Sequence, residues 1–199
     1  MPDKTIVAIA CSVLRPELQA LREQELIAFP IRFLDSHLHM KPEELHAQMV
    51  CRIREERRLG SRVLLIYGDC HTHMVDLAED PAVVRVRAIN CCEMLLGKQR
   101  YKALLRTGAF LLFPEWSHRW RSILQCFPGL DADTASEMMR EIHSRFVYLD
   151  TLTCPVPHDA IEQCSELFRL PYEVAEVSLD LLLGLIQEAL GRFDSKGVA

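Results

Sequence analysis

Short, continuously apolar runs alternate along this chain with longer stretches in which apolar residues recur every third or fourth position. The first run, Ile6-Val7-Ala8-Ile9-Ala10, has no polar position, the pattern of a strand buried on both faces. Arg15-Pro16-Glu17 then opens a helix, with proline at its first turn and an acid near its positive end. Phe29 to Leu34 reads as a second strand, weakened by Pro30 and Arg32. Pro42-Glu43-Glu44 repeats the helix opening, and Leu45, Met49 and Ile53 mark that helix's buried face. Arg62 to Gly68 is the clearest strand. Further strands are predicted at Val83 to Ile89, Ala109 to Phe113, Arg145 to Leu149 and Tyr172 to Val177. Between them lie predicted helices at Glu93 to Leu105, Trp116 to Cys126, Asp159 to Phe168 and Leu179 to Leu190. Thr134-Ala135-Ser136-Glu137 has capping-box spacing and predicts one more helix start.

This rhythm predicts an α/β fold: a three-layer Rossmann-like domain with a mostly parallel sheet of about six strands. Residues 1–199 read as one domain, with Phe127-Pro128-Gly129 the best internal break and a two-lobe division at 127–131. The last helix is apolar almost all round, which suits either a buried position or a homodimer contact.

Composition narrows the classes. The 199 residues are 49% hydrophobic and 26% charged, which excludes a disordered tail or a collagen-like chain. The net charge of −5 argues against a nucleic-acid partner. No apolar run approaches the ~18 residues that span a bilayer. Met1-Pro2-Asp3-Lys4 does not begin a signal peptide, so the cytoplasm is the expected location. In that compartment the eight cysteines should be thiols.

Ligands of open α/β sheets bind at the carboxyl ends of the strands. Cys11 follows the first predicted strand, His37 and His39 the second, and Cys70, His71 and His73 the third. Cys91 and Cys92 follow the fourth, and Cys154 follows Arg145 to Leu149. Cys11, Cys70 and Cys91 would therefore share one edge, where thiolates suit zinc or an iron–sulfur cluster. The same edge suits a reactive cysteine pair, because Cys11 precedes a helix start that favours a thiolate. Free cysteine is also a common core residue, and Cys51, Cys126 and Cys164, each on a predicted helix, fit that role better. His46, His118, His143 and His158 read as surface residues. Cys-x-x-Cys pairs, a GxGxxG loop and a serine nucleophile elbow are all missing. Trp116 and Trp120 read as a core edge or a partner surface.

Several of these residues carry a family resemblance. Ile9-Ala10-Cys11 with Leu14-Arg15-Pro16-Glu17-Leu18 resembles the start of an uncharacterised prokaryotic family, domain of unknown function 1638. Leu38-His39 with Pro42 and Leu45, Ile66-Tyr67-Gly68-Asp69-Cys70, Cys91 with Glu93, Leu96 and Gly97, and Gly108 to Leu112 continue it. The resemblance implies cysteines at Cys11, Cys70 and Cys91 and a histidine at His39. This chain departs from it at His71, where the family commonly has glycine, and at Asn90, where it commonly has histidine. Members often occur beside corrinoid-dependent methyltransferases, which implies a setting in one-carbon, corrinoid or metallocofactor metabolism and a partner of that kind.

The expectation is a metal-binding protein in which Cys11, Cys70 and Cys91 hold a 4Fe-4S cluster or zinc, with His39 or an external ligand completing the shell. The alternatives are a metal-free cysteine enzyme moving protons as racemases do, and an accessory subunit whose cysteines are structural.

Overall fold

The computed structural model describes residues 5–125 and 131–196. The fold is α/β: the described residues form seven parallel strands in two sheets where the sequence predicts about six in one. The chain divides into two compact units, residues 1–94 with 179–199, and residues 95–178. The expected break at 127–131 falls, except for Asp131, outside the described residues.

The first unit holds a four-stranded sheet ordered β2-β1-β3-β4, made of β1 (Ile6–Cys11), β2 (Ile31–Leu34), β3 (Arg62–Ile66) and β4 (Val83–Arg85). β1 lies between β2 and β3, and Val7 through Cys11 are all buried, which is why that run carries no polar residue. β2 is the outer strand, so Arg32 is tolerated there; it pairs with Glu56 at 3.0 Å. Pro30 stops just short of β2, yet its carbonyl accepts the Ala8 N–H at 2.9 Å. The parallel pairings are joined by helices: α1 (Arg15–Glu23) links β1 to β2, and α2 (Pro42–Arg58) links β2 to β3. Both begin on a proline-acid pair as read, and Leu45, Met49 and Ile53 are buried. α3 (Cys91–Arg106) follows β4, and α7 (Asp180–Lys196) packs on β3 and β4.

The chain leaves this unit within α3, where Gly97 breaks the helix with φ 70 and ψ 159. No side chain favours that conformation, so glycine is required there.

The second unit holds a three-stranded sheet ordered β5-β6-β7: β5 (Ala109–Leu112), β6 (Arg145–Asp150) and β7 (Tyr172–Glu176). Its helices are α4 (Pro114–Gln125), α5 (Ala132–Ile142) and α6 (His158–Phe168). Its core joins Leu112, Phe146, Tyr148, Ile161, Cys164 and Phe168. Trp120 stacks edgewise on Phe168, so it belongs to a core edge. α5 starts earlier than the capping box at Thr134 suggests. Asp131 is its cap and accepts the Thr134 N–H at 2.7 Å, so Thr134 lies in the first turn. Among the described residues, no helix is long and apolar enough to cross a membrane.

Candidate functional site

Four connections of the first unit meet beyond the carboxyl ends of its strands. Cys11 is the last residue of β1 and is fully buried. The turn after it, Ser12–Leu14, leads into α1. Ser12 Oγ accepts the backbone N–H of Ser36 at 2.8 Å, tying the end of β1 to the end of β2. That tie positions the 3-10 turn Ser36–Met40, which the Asp35 side chain caps by accepting the His37 N–H. Leu38 is buried and fixes the turn's inner side, and His39, half-buried, reaches Cys11 with Nε2 3.3 Å from Sγ.

The loop after β3 is held just as closely. Gly68 lies so near the next connection that a Cβ would stand 2.4 Å from the Asn90 Cα and 2.5 Å from the Ile89 carbonyl oxygen. Only glycine permits this approach. The Asp69 N–H donates to the Ile89 carbonyl at 2.8 Å, and Asp69 pairs with Arg85. Asn90 Oδ1 accepts the Glu93 N–H at 2.9 Å, capping the helix that Cys91 begins. Cys70 and Cys91 are thereby brought to the rim that Cys11 occupies. β4 ends at Arg85, so Cys91 opens a helix and does not close the strand expected through Ile89.

The electrostatics follow from these contacts. Cys91 donates its thiol hydrogen to the Cys11 sulfur, and His39 adds a hydrogen bond and a positive charge. Together they outweigh burial and lower Cys11 from 9.0 to about 6. Cys91 is pushed well above its ordinary value, first by that same hydrogen bond and then by burial. Burial works against a charged His39, but hydrogen bonds to Cys11 and Cys70 raise it from 6.5 to about 10. The cluster is thus a chain of contacts, Cys91 to Cys11 to His39 to Cys70, with a thiolate and an imidazolium at its centre.

Tyr67 closes the floor. It is fully buried, its hydroxyl has no hydrogen-bond partner among the described residues, and the sulfurs of Cys11, Cys91 and Cys70 bear on it electrostatically. Burial, reinforced by the sulfurs of Cys11, Cys91 and Cys70, holds the phenol protonated far into the alkaline range. Within Ile66-Tyr67-Gly68 this tyrosine reads only as a strand residue. Its signal in the sequence is a polar tip at the carboxyl end of an apolar run.

The donor set suits a soft or borderline metal in kind: three sulfurs and one imidazole nitrogen, with two of the sulfurs buried. In spacing the donors meet in pairs. Among the described residues, no group of three or more His, Cys, Asp or Glu side chains is arranged to hold a metal ion as it stands.

The other singled-out residues lie apart from this chain of contacts. Cys92 is half-buried, and burial pushes it to about 12. His71 and His73 pack against His46, with ring centroids 4.9 and 5.5 Å from it, so His46 is half-buried and not the surface residue expected. Cys164 is core, as expected, but Cys51 is exposed because it lies on the outer face of α2. Cys154 is half-buried in the loop after β6, and Cys126 lies outside the described residues.

A family profile described as "Protein of unknown function (DUF1638)" matches residues 33–186. No curated protein and no solved structure matches the chain.

Proposed function

The chain belongs to that family of proteins of unknown function, and we propose that this member binds a metal through Cys11, Cys70 and Cys91, with His39 or an external ligand completing the shell. One observation carries the reading: three cysteine sulfurs and one imidazole, from four separate connections, lie along one rim of one sheet. Burial adds to it. Cys11 is 0% exposed and Cys91 6%, so a carbon substrate has little access to either sulfur, whereas a single metal ion needs little room. For that reason zinc is favoured over a 4Fe-4S cluster, which is bulkier. Binding would draw the donor pairs together. Zinc, when bound, would supply Lewis acidity. The resemblance to relatives found beside corrinoid-dependent methyltransferases supports a setting in one-carbon, corrinoid or metallocofactor metabolism, with a protein of that metabolism as partner.

A second reading rests on the 3.3 Å contact of Cys11 with His39. A thiolate beside an imidazolium can act as nucleophile or base without a metal.

Elemental analysis of protein purified without oxygen separates the two. The metal reading expects about one zinc per chain, or about four iron and four sulfide if a cluster is held. It also expects Cys11→Ser/Cys70→Ser/Cys91→Ser to lose that content. A colourless preparation that stays metal-free after reconstitution overturns it.

A further inference from the structure

α2 packs on β1, β2, β3 and the Ser36–Met40 turn, and among the described residues no other helix packs extensively beside it. Its inner residues Leu45, Met49, Ile53 and Glu56 are buried. Its outer line is of another kind. Glu44, Ala47, Cys51, Arg54 and Arg58 follow one another at alternating spacings of three and four, so they share one face, and all are exposed. A cavity of about 410 Å³ follows that line from His46 to Arg58. The middle of the line is small, with Ala47 and Cys51, and its ends carry opposite charge. Glu43 and Glu44 stand in the first turn, and Arg54 and Arg58 lie toward the last. Glu55, between those arginines, is already held by Arg52 at 2.8 Å. Glu44 meets Lys41 at 3.4 Å, an exposed pair of the kind that contributes little. The last helix, which also reads as a dimer contact, buries Leu182, Ile186, Ala189 and Phe193 within its own unit, where it packs on β3 and β4.

We propose that this face of α2 pairs with the same face of a second copy of the chain, the two helices running antiparallel about a two-fold axis at Cys51. Glu44 and Arg58 are equally distant from Cys51 in sequence, so this register sets each Glu44 opposite the partner's Arg58, and the two-fold makes that pair twice. It also sets Arg54 beside the partner's Gln48. The charges choose the direction. Parallel helices would set Arg58 against Arg58 and Glu44 against Glu44, and opposed helix dipoles add to the antiparallel preference. Ala47 and Cys51 at the centre suit the approach of helix axes to about 8–10 Å. A contact confined to two helices about 25 Å long is smaller than the ~800 Å² per partner of a standard interface. The dimer therefore belongs to the micromolar range. The proposal does not rest on the metal reading, since none of Cys11, His39, Cys70 and Cys91 lies on α2.

The test is sedimentation equilibrium of the full chain across micromolar concentrations, under reducing conditions. Wild type should dimerise, and added salt should weaken the dimer because its end pairs are exposed. Glu44→Arg and Arg58→Glu should each weaken it about tenfold, because each sets like charges face to face at both ends. The double variant exchanges the two signs and should regain wild-type affinity, since the coupling belongs to the pair. Arg22→Glu, the same change of charge at an exposed position of α1, should leave the dimer as it is. A wild-type chain that stays monomeric throughout overturns the proposal. So does a dimer indifferent to both single changes, one weakened equally by Arg22→Glu, or a double variant no tighter than the singles.

Discussion

Cys11 and His39 hold each other in the charged state, and the pH dependence of the metal-free protein should record it. Cys11 is lowered from 9.0 to about 6. Its contribution to stability is complete above 9.0 and is lost as pH falls through 6. His39 is raised from 6.5 to about 10. Its contribution is complete below 6.5 and is lost as pH rises through 10. Cys91, raised well above 9.0, also loses its contribution on the alkaline side. Between pH 6.5 and pH 9 the Cys11 gain and the His39 loss oppose each other, so urea unfolding of the metal-free protein should show a broad stability maximum there, falling below about pH 6.5 and above about pH 9. Cys11→Ser should flatten the acid flank, and an unaltered profile in that variant would show the pair to be absent. At this scale the sequence is informative where a residue's place in an element decides its role. Cys11, His39, Cys70 and Cys91 stand out because each follows an apolar run. Tyr67 does not, because nothing in Ile-Tyr-Gly says that its hydroxyl will be buried near sulfurs. Cys51 misleads for the opposite reason: a cysteine on a helix reads as core, but its spacing from Leu45, Met49 and Ile53 puts it on the exposed face.

Elements bring the site together through the close approach of the β3 loop to the start of α3. Gly68 carries that approach, since a methyl group there would strike the backbone of Ile89 and Asn90, which cannot move aside as a side chain can. Gly68→Ala should cost about 1–3 kcal/mol in urea unfolding, the usual range for overpacking. It should also separate Cys70 from Cys91 and weaken metal retention, measured as metal content after dialysis against a chelator. Wild-type stability and metal content in Gly68→Ala would contradict this account. Helix starts marked by proline, as at Pro16 and Pro42, are legible because proline's fixed φ and missing N–H suit only the first turn. The start of α5 is less so. Asp131 and Thr134 both have capping chemistry, and only the backbone decides which one leads. The end of β4 at Arg85 is similarly hidden, because Val86 and Ala88 are buried after the ladder stops.

At the scale of the molecule, hydrophobic period shows which segments are strands but not which strands share a sheet. Each unit completes its own parallel sheet, and the division lies inside a stretch that reads as one continuous helix. The clue is Gly97, but a glycine within a helical pattern is ordinary until its left-handed backbone is seen. The thiols and imidazole that meet at one rim of the first sheet are the chain's most specific chemistry. X-ray absorption at the metal edge of the anaerobically loaded full chain tests that chemistry most directly, because it counts the sulfur atoms around the metal. The account predicts about three sulfur neighbours, falling by one in each of Cys11→Ser, Cys70→Ser and Cys91→Ser, as expected for a three-thiolate site. A shell of nitrogen and oxygen alone, or one unchanged by these substitutions, would contradict it.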